Sequence, residues 1–119
     1  MREFNLQTGK IGEKMAEEYL KEQGYKTIER NFKTKYAEID LVAKRGSELV
    51  FVEVKTRRGE MFGAPEESLN KKKLRKLWLN AQGYINQKRW QGPYRIDAVC
   101  IVLNPDNTIN RLNHYPNII

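Results

Sequence analysis

Two runs decide the fold: Ala37-Glu38-Ile39-Asp40-Leu41-Val42-Ala43 and, past Arg45-Gly46-Ser47, Glu48-Leu49-Val50-Phe51-Val52-Glu53-Val54-Lys55. Both are short, apolar and rich in β-branched residues, which is the pattern of strands (37–43 and 48–55). Arg45-Gly46-Ser47 is a turn signal and joins them as a hairpin. Within the second run, Leu49-Val50-Phe51-Val52-Glu53-Val54 is nearly all apolar, which suits a central strand covered on both faces. An acid stands between apolar neighbours inside each run: Asp40 between Ile39 and Leu41, and Glu53 between Val52 and Val54. Side chains alternate along a strand, so Glu53 and Lys55 share one face and Val50, Val52 and Val54 the other.

Upstream, Ile11, Met15, Ala16, Tyr19 and Leu20 recur at helical spacing over residues 9–23, and Gly24 stops the helix. Residues 25–32 read as a further strand. Downstream, Gly59, Gly63 and Pro65 mark a loop. Leu69, Leu74, Leu77, Trp78, Ala81 and Ile85 then give the apolar face of a long helix over 66–88, weakened at Gly83. Residues 96–103 form an apolar strand and 108–115 an edge strand. The order αβββαββ implies an α/β sandwich, a mixed sheet flanked by helices.

The chain has 119 residues, room for a single domain over 1–119. A single Cys100 excludes an intrachain disulfide, and a lone His114 excludes a His-rich metal centre or an obvious Ser-His-Asp site. Cys100, between Val99 and Ile101, reads as a buried apolar residue. No apolar run approaches the ~20 residues of a membrane span. The first residues lack an apolar signal core, so a cytoplasmic location is expected, with no membrane partner. Lys plus Arg is 22 against 15 for Asp plus Glu, a net charge of +7. That excess fits an acidic partner, and nucleic acid is the commonest.

If the two strands pair, Asp40 lies beside Glu53. Two close carboxylates repel, and a divalent cation resolves the repulsion; oxygen ligands favour Mg²⁺ or Mn²⁺ over zinc. Phosphodiester hydrolysis uses such a metal to activate water, and a nearby lysine to steady the developing charge. Asp40, twelve residues, Glu53, one residue, Lys55 fits the PD-(D/E)XK nuclease signature, with Ile39 in place of the loosely held Pro. The competing reading makes Glu53 and Lys55 a same-face ion pair, with Asp40 capping or pairing with Lys55.

The chain resembles the YraN-like family of uncharacterised predicted endonucleases. The matching residues include Gly12-Glu13, Gly24-Tyr25, Glu38-Ile39-Asp40-Leu41, Val52-Glu53-Val54-Lys55, Arg57, Phe62-Gly63, Pro65, Glu67, Lys73 and Arg95-Ile96-Asp97. Ala37 departs from the family's usual Gly. The resemblance implies a restriction-endonuclease-like three-layer sandwich. It also implies metal binding by Asp40 and Glu53 with the Val54 carbonyl as a third ligand, Lys55 as catalytic lysine, and Glu13 reaching in from the first helix as ligand or base. A looser likeness to archaeal Holliday-junction resolvases extends the expectation to branched DNA and to recombination and repair. A symmetric junction cutter needs two sites, hence a homodimer.

Beside the site, Arg57, Arg58, Lys71, Lys72, Lys73 and Lys76 form a candidate phosphate track. Lys73 falls in the apolar row Leu69, Lys73, Leu77. It either snorkels to water or reaches toward the site or a phosphate. Glu17 and Glu18 are expected in water. Asp97 either holds Arg95 or Lys73, caps a turn, or takes part in catalysis. Trp78 is expected in the core, Trp90 either packs or stacks on a base, and His114 is expected to be structural. The expected activity is metal-dependent hydrolysis of DNA; the alternatives are a nucleic-acid-binding module without cleavage and an interaction protein whose strand charges only pair.

Overall fold

A computed structural model describes residues 2–119, with side chains from Leu6 onward. The elements run α1 (Arg2–Glu22), β1 (Lys26–Lys33), β2 (Glu38–Arg45), β3 (Glu48–Arg58), a 3-10 turn (Pro65–Ser68), α2 (Lys71–Lys88), β4 (Tyr94–Leu103) and β5 (Ile109–Tyr115). The strands lie in the order β1-β2-β3-β4-β5. Neighbours are antiparallel except β3 and β4, which are parallel, with α2 as the crossover between them. The expected three-layer α/β sandwich with a mixed sheet is therefore present.

Each helix covers one face. Ala16 and Leu20 of α1 pack on Leu41, Val50, Val52, Val54 and Val99. Leu77, Ala81 and Tyr84 of α2 pack on Val42, Leu49, Phe51 and Ile96. The α1 layer sits close because Gly12 has no side chain: a Cβ there would fall 1.8 Å from Thr56 Oγ1. The helix ends in a Schellman cap. Gly24 is left-handed (φ +91°), its N–H donates to Lys21 O (3.1 Å), and the Tyr25 N–H donates to Leu20 O (2.9 Å).

Four expectations are corrected. α1 starts at Arg2 rather than residue 9; the apolar residues of its leading turns, Phe4 and Leu6, stand two apart, which is not a helical spacing. The helix expected over 66–88 is two elements. The Asn70 side chain caps α2 by accepting the Lys73 N–H (2.9 Å), which leaves Leu69 outside the helix. Trp78 is 44% exposed rather than in the core, because the buried stripe of α2 runs through Leu77, Ala81 and Tyr84 and the next residue along points roughly 100° away. Glu17 is paired, in a forked contact with Arg30 of β1.

One irregularity prepares the site. The β2–β3 ladder ends at Leu41↔Val52, although both strands continue. Ile39 belongs to the α2 core and Leu41 to the α1 core, which strict alternation forbids. Opposite Asp40, Asn31 of β1 adopts φ +51° between the pairs Arg30↔Leu41 and Phe32↔Ile39. The β1–β2 ribbon thus turns at this level, and β2 parts from β3 at Asp40.

Candidate metal centre

Where β2 leaves β3, backbone groups of β3 lose their ladder partners. The Val54 N–H finds one in the Asp40 carboxylate, donating to Oδ2 at 2.8 Å. A residue's carbonyl lies on the same side of a strand as its N–H, so the Val54 carbonyl faces the same gap. Burial pushes the Asp40 carboxyl up to about 9, and its contact with the Glu53 carboxylate adds to the rise, against the Val54 N–H, which lowers it. Glu53 is 4% exposed, and its Oε2 is buried without a hydrogen bond. The compensation for Glu53 is an ion pair, with Lys73 Nζ 2.7 Å from Oε2.

Two further acids come from the other side of the gap. Glu13 of α1 and Glu38 of β2 have carboxylate oxygens within 4.8 Å of one another and of Asp40. Asn31, placed by its left-handed backbone, donates its Nδ2 to both, at 3.0 Å to Glu13 and 2.8 Å to Glu38. Burial raises the Glu13 carboxyl; Asn31 lowers it, and the charges of Glu38 and Glu53 raise it further. The α1 layer and the sheet therefore converge four carboxylates on one level, with Asp40 between the pair Glu13–Glu38 and Glu53. Packed oxygen donors that outnumber the cations paired with them suit a hard divalent cation. The donors are all oxygen, with no thiolate or imidazole among them.

Matching residues 12–101 is the model of a family described as uncharacterised protein family UPF0102. A UPF0102 protein of Caldanaerobacter subterraneus is 43% identical, over 98% of both chains. One from Clostridium botulinum is 40% identical over 91% of this chain and 89% of its own. Another, from Thermodesulfovibrio yellowstonii, is 44% identical over 81% of this chain and 86% of its own. The chain belongs to the UPF0102 family. This is the YraN-like family that the sequence resembles.

The remaining expected site residues of this UPF0102 chain divide by position. Lys55 is half-buried on the Glu53 face and makes no ion pair among the described residues, so neither Glu53 nor Asp40 is paired with it. Lys73 resolves its alternatives by reaching the acids. Arg57, Lys71, Lys72 and Lys76 are exposed. Arg58 turns toward the α1 side, where its Nε donates to Thr8 Oγ1 (3.0 Å) and its guanidinium also meets Asn107. That removes it from the face of Arg57.

Asp97 lies on the α1 face of β4, away from Glu53, and is fully buried. It accepts from Arg95 Nε (2.9 Å) and the Asn117 N–H (2.9 Å) and pairs with His114 Nε2 (2.7 Å). It therefore holds Arg95 and not Lys73, and it takes no place among the acids of the gap. Trp90 packs against the α2 core, and its Nε1 donates to Pro93 O at 3.1 Å. Burial pushes the Cys100 thiol up to about 12, so it is unreactive. Glu38 was not singled out from the sequence. Its signal was available: Glu38 and Asp40 stand two apart on one strand.

Among the described residues no helix is long and apolar enough to cross a membrane.

Proposed function

We propose that this UPF0102 chain is a metal-dependent nuclease that hydrolyses phosphodiester bonds of DNA. One observation carries the reading: Asp40 meets the buried Glu53 on one side and clusters with Glu13 and Glu38 on the other, and among the described residues Lys73 is the single cation paired with these acids. Such crowding does not serve stability, since burial and neighbouring carboxylates both disfavour the charged forms of Asp40 and Glu13. A divalent cation offsets that penalty.

In this reading Asp40, Glu53 and the Val54 carbonyl would hold Mg²⁺ or Mn²⁺, and Glu38 would complete the donor set. The cation, when bound, supplies charge for the phosphoryl oxygen and lowers the pKa of the attacking water. Glu13, with its raised carboxyl pKa, accepts the proton of that water. Lys55 lies free on the Glu53 face and steadies the charge that develops on the phosphate. With Glu53 engaged by a cation, Lys73 would be available to the phosphate backbone, beside the exposed Arg57, Lys71, Lys72 and Lys76. The looser likeness to junction resolvases makes branched DNA the first substrate to try. Paired incision of a junction further requires a homodimer.

The test incubates the wild type and Glu53→Ala with labelled branched and linear DNA in Mg²⁺, then Mn²⁺. Cleavage by the wild type and a loss of at least about 100-fold in Glu53→Ala is expected. Equal cleavage by both overturns the reading. A second reading has one observation in its favour. Lys73 already neutralises Glu53 at 2.7 Å, as it would in a binding module that never takes up a metal. Salt-sensitive DNA binding without cleavage under either metal selects that module.

A further inference from the structure

The loop from β3 to the 3-10 turn carries an apolar pair where turn residues are expected. Met61 is 88% and Phe62 95% exposed. They are the two central residues of a β-turn closed by the Gly63 N–H donating to Glu60 O at 3.1 Å. Gly, Pro, Asn, Asp and Ser dominate such positions. The turn is clamped on both sides. Before it, the Gly59 N–H donates to Leu103 O (3.1 Å), and Glu60 pairs with Arg111 of β5 (2.6 Å). After it, Gly63 takes φ +113°, and a Cβ there would fall 2.2 Å from Glu67 Oε2. The fold thus holds two large apolar side chains in water on a fixed support. Single exposed apolar residues are ordinary on any surface; an adjacent pair built into a clamped tip is not.

The flanking charge identifies the occupant. Residues 55–76 contain eight Lys or Arg against Glu60, Glu66 and Glu67. Arg111 of β5 pairs with both Glu60 and Glu66. Arg57 is exposed three residues before the turn, and Lys71 and Lys72 are exposed where α2 begins. The chain leaves the acidic gap through Lys55, passes the tip, and returns to the gap at Lys73, which touches Glu53. Phosphates between these cations would bring a base against the apolar tip. A base inside a duplex is already stacked, so an unpaired or splayed base is the one that gains.

We propose that Met61 and Phe62 form a stacking tip for an unpaired base, which makes nucleic acid with a branch or single-stranded segment the preferred ligand. The proposal rests on the nucleic-acid reading of the acidic site and names its substrate class.

The experiment places 2-aminopurine at the branch of a flap DNA and, separately, within a duplex. Both are titrated in EDTA, so that binding is read without cleavage. Wild type and Phe62→Trp are expected to change the branch fluorescence and to bind the flap about tenfold more tightly than the duplex. Phe62→Ala is expected to lose both effects while keeping the salt-dependent affinity for duplex. The side chain of Phe62 is exposed, so an unchanged thermal midpoint checks the fold of the variant. Three results overturn the tip: equal flap affinity and fluorescence for wild type and Phe62→Ala, equal affinity of wild type for flap and duplex, or a Phe62-dependent self-association or binding to anionic vesicles in place of the branch effect. With DNA still bound, these results leave the nuclease reading standing. Absence of any DNA binding overturns both.

Discussion

Lys73 holds the position beside Glu53 that the signature spacing assigns to Lys55. The ammonium is 2.7 Å from an otherwise unsatisfied buried oxygen, whereas Lys55 makes no ion pair among the described residues. Removing one partner of a buried pair leaves an uncompensated charge, worth about 3–5 kcal/mol when both are fully buried. Lys73 is 28% exposed, so the expected loss for Lys73→Met is smaller, about 1–3 kcal/mol in EDTA. Saturating Mn²⁺ should restore more stability to Lys73→Met than to the wild type, because the cation replaces the missing charge. Thermal midpoints with and without Mn²⁺ check this; equal shifts in both proteins would refute it. At this scale Asp40 and Glu53 were legible, because a carboxylate inside an apolar strand is expensive and stands out. The partner of Glu53 was not, since which of several lysines reaches it depends on how α2 is rotated above the sheet.

At the scale of the element, α1 places Glu13 only because Gly12 lies directly on Thr56. A Cβ at Gly12 would sit 1.8 Å from Thr56 Oγ1 and 2.8 Å from Thr56 Cβ, so the helix must lift or turn. Gly12→Ala is expected to destabilise by about 1–3 kcal/mol despite the better helix propensity of Ala. It should also weaken divalent binding, since Glu13 moves with the helix. Calorimetric titration with Mn²⁺ beside a urea melt separates the two effects. Periodicity made α1 and its stop at Gly24 readable. The single helix expected over 66–88 was wrong for a local reason: Asn70 offers its side chain to the Lys73 N–H and begins a new helix there. The end of the β2–β3 ladder was invisible, because hydrophobic pattern reports burial and not hydrogen-bond register.

Across the whole molecule, two charge clusters join distant parts of the chain. Asp97 ties β4 through Arg95 and His114 to the C-terminal segment at Asn117, and Arg95 reaches Glu48 of β3 at 2.6 Å. Asp97→Ala strips Arg95 and His114 of a fully buried partner and is expected to cost about 3–5 kcal/mol. Metal binding per folded molecule should be unchanged; a selective loss of metal affinity would return Asp97 to the site. The second cluster joins the 3-10 turn to β5. Arg111 and Tyr115 hold the Glu66 carboxyl down to about 2, against its ordinary 4.5; Arg111 has the larger effect. The folded pKa is depressed, so this contribution is present above about 4.5 and is lost as pH falls toward about 2. Glu66→Gln should therefore flatten the pH dependence of the urea midpoint across that window, and a parallel curve would disprove the linkage. The sequence by itself determined the layers, the element order and the two acids inserted into apolar strands, because burial periodicity and the cost of buried charge are local properties. Only the tertiary structure decided that Glu13 and Glu38 join them, that Lys73 faces Glu53, and that Asp97 lies on the opposite face. Those outcomes depend on strand register, helix rotation and the parting of β2 from β3, which arise from packing between segments far apart in the chain.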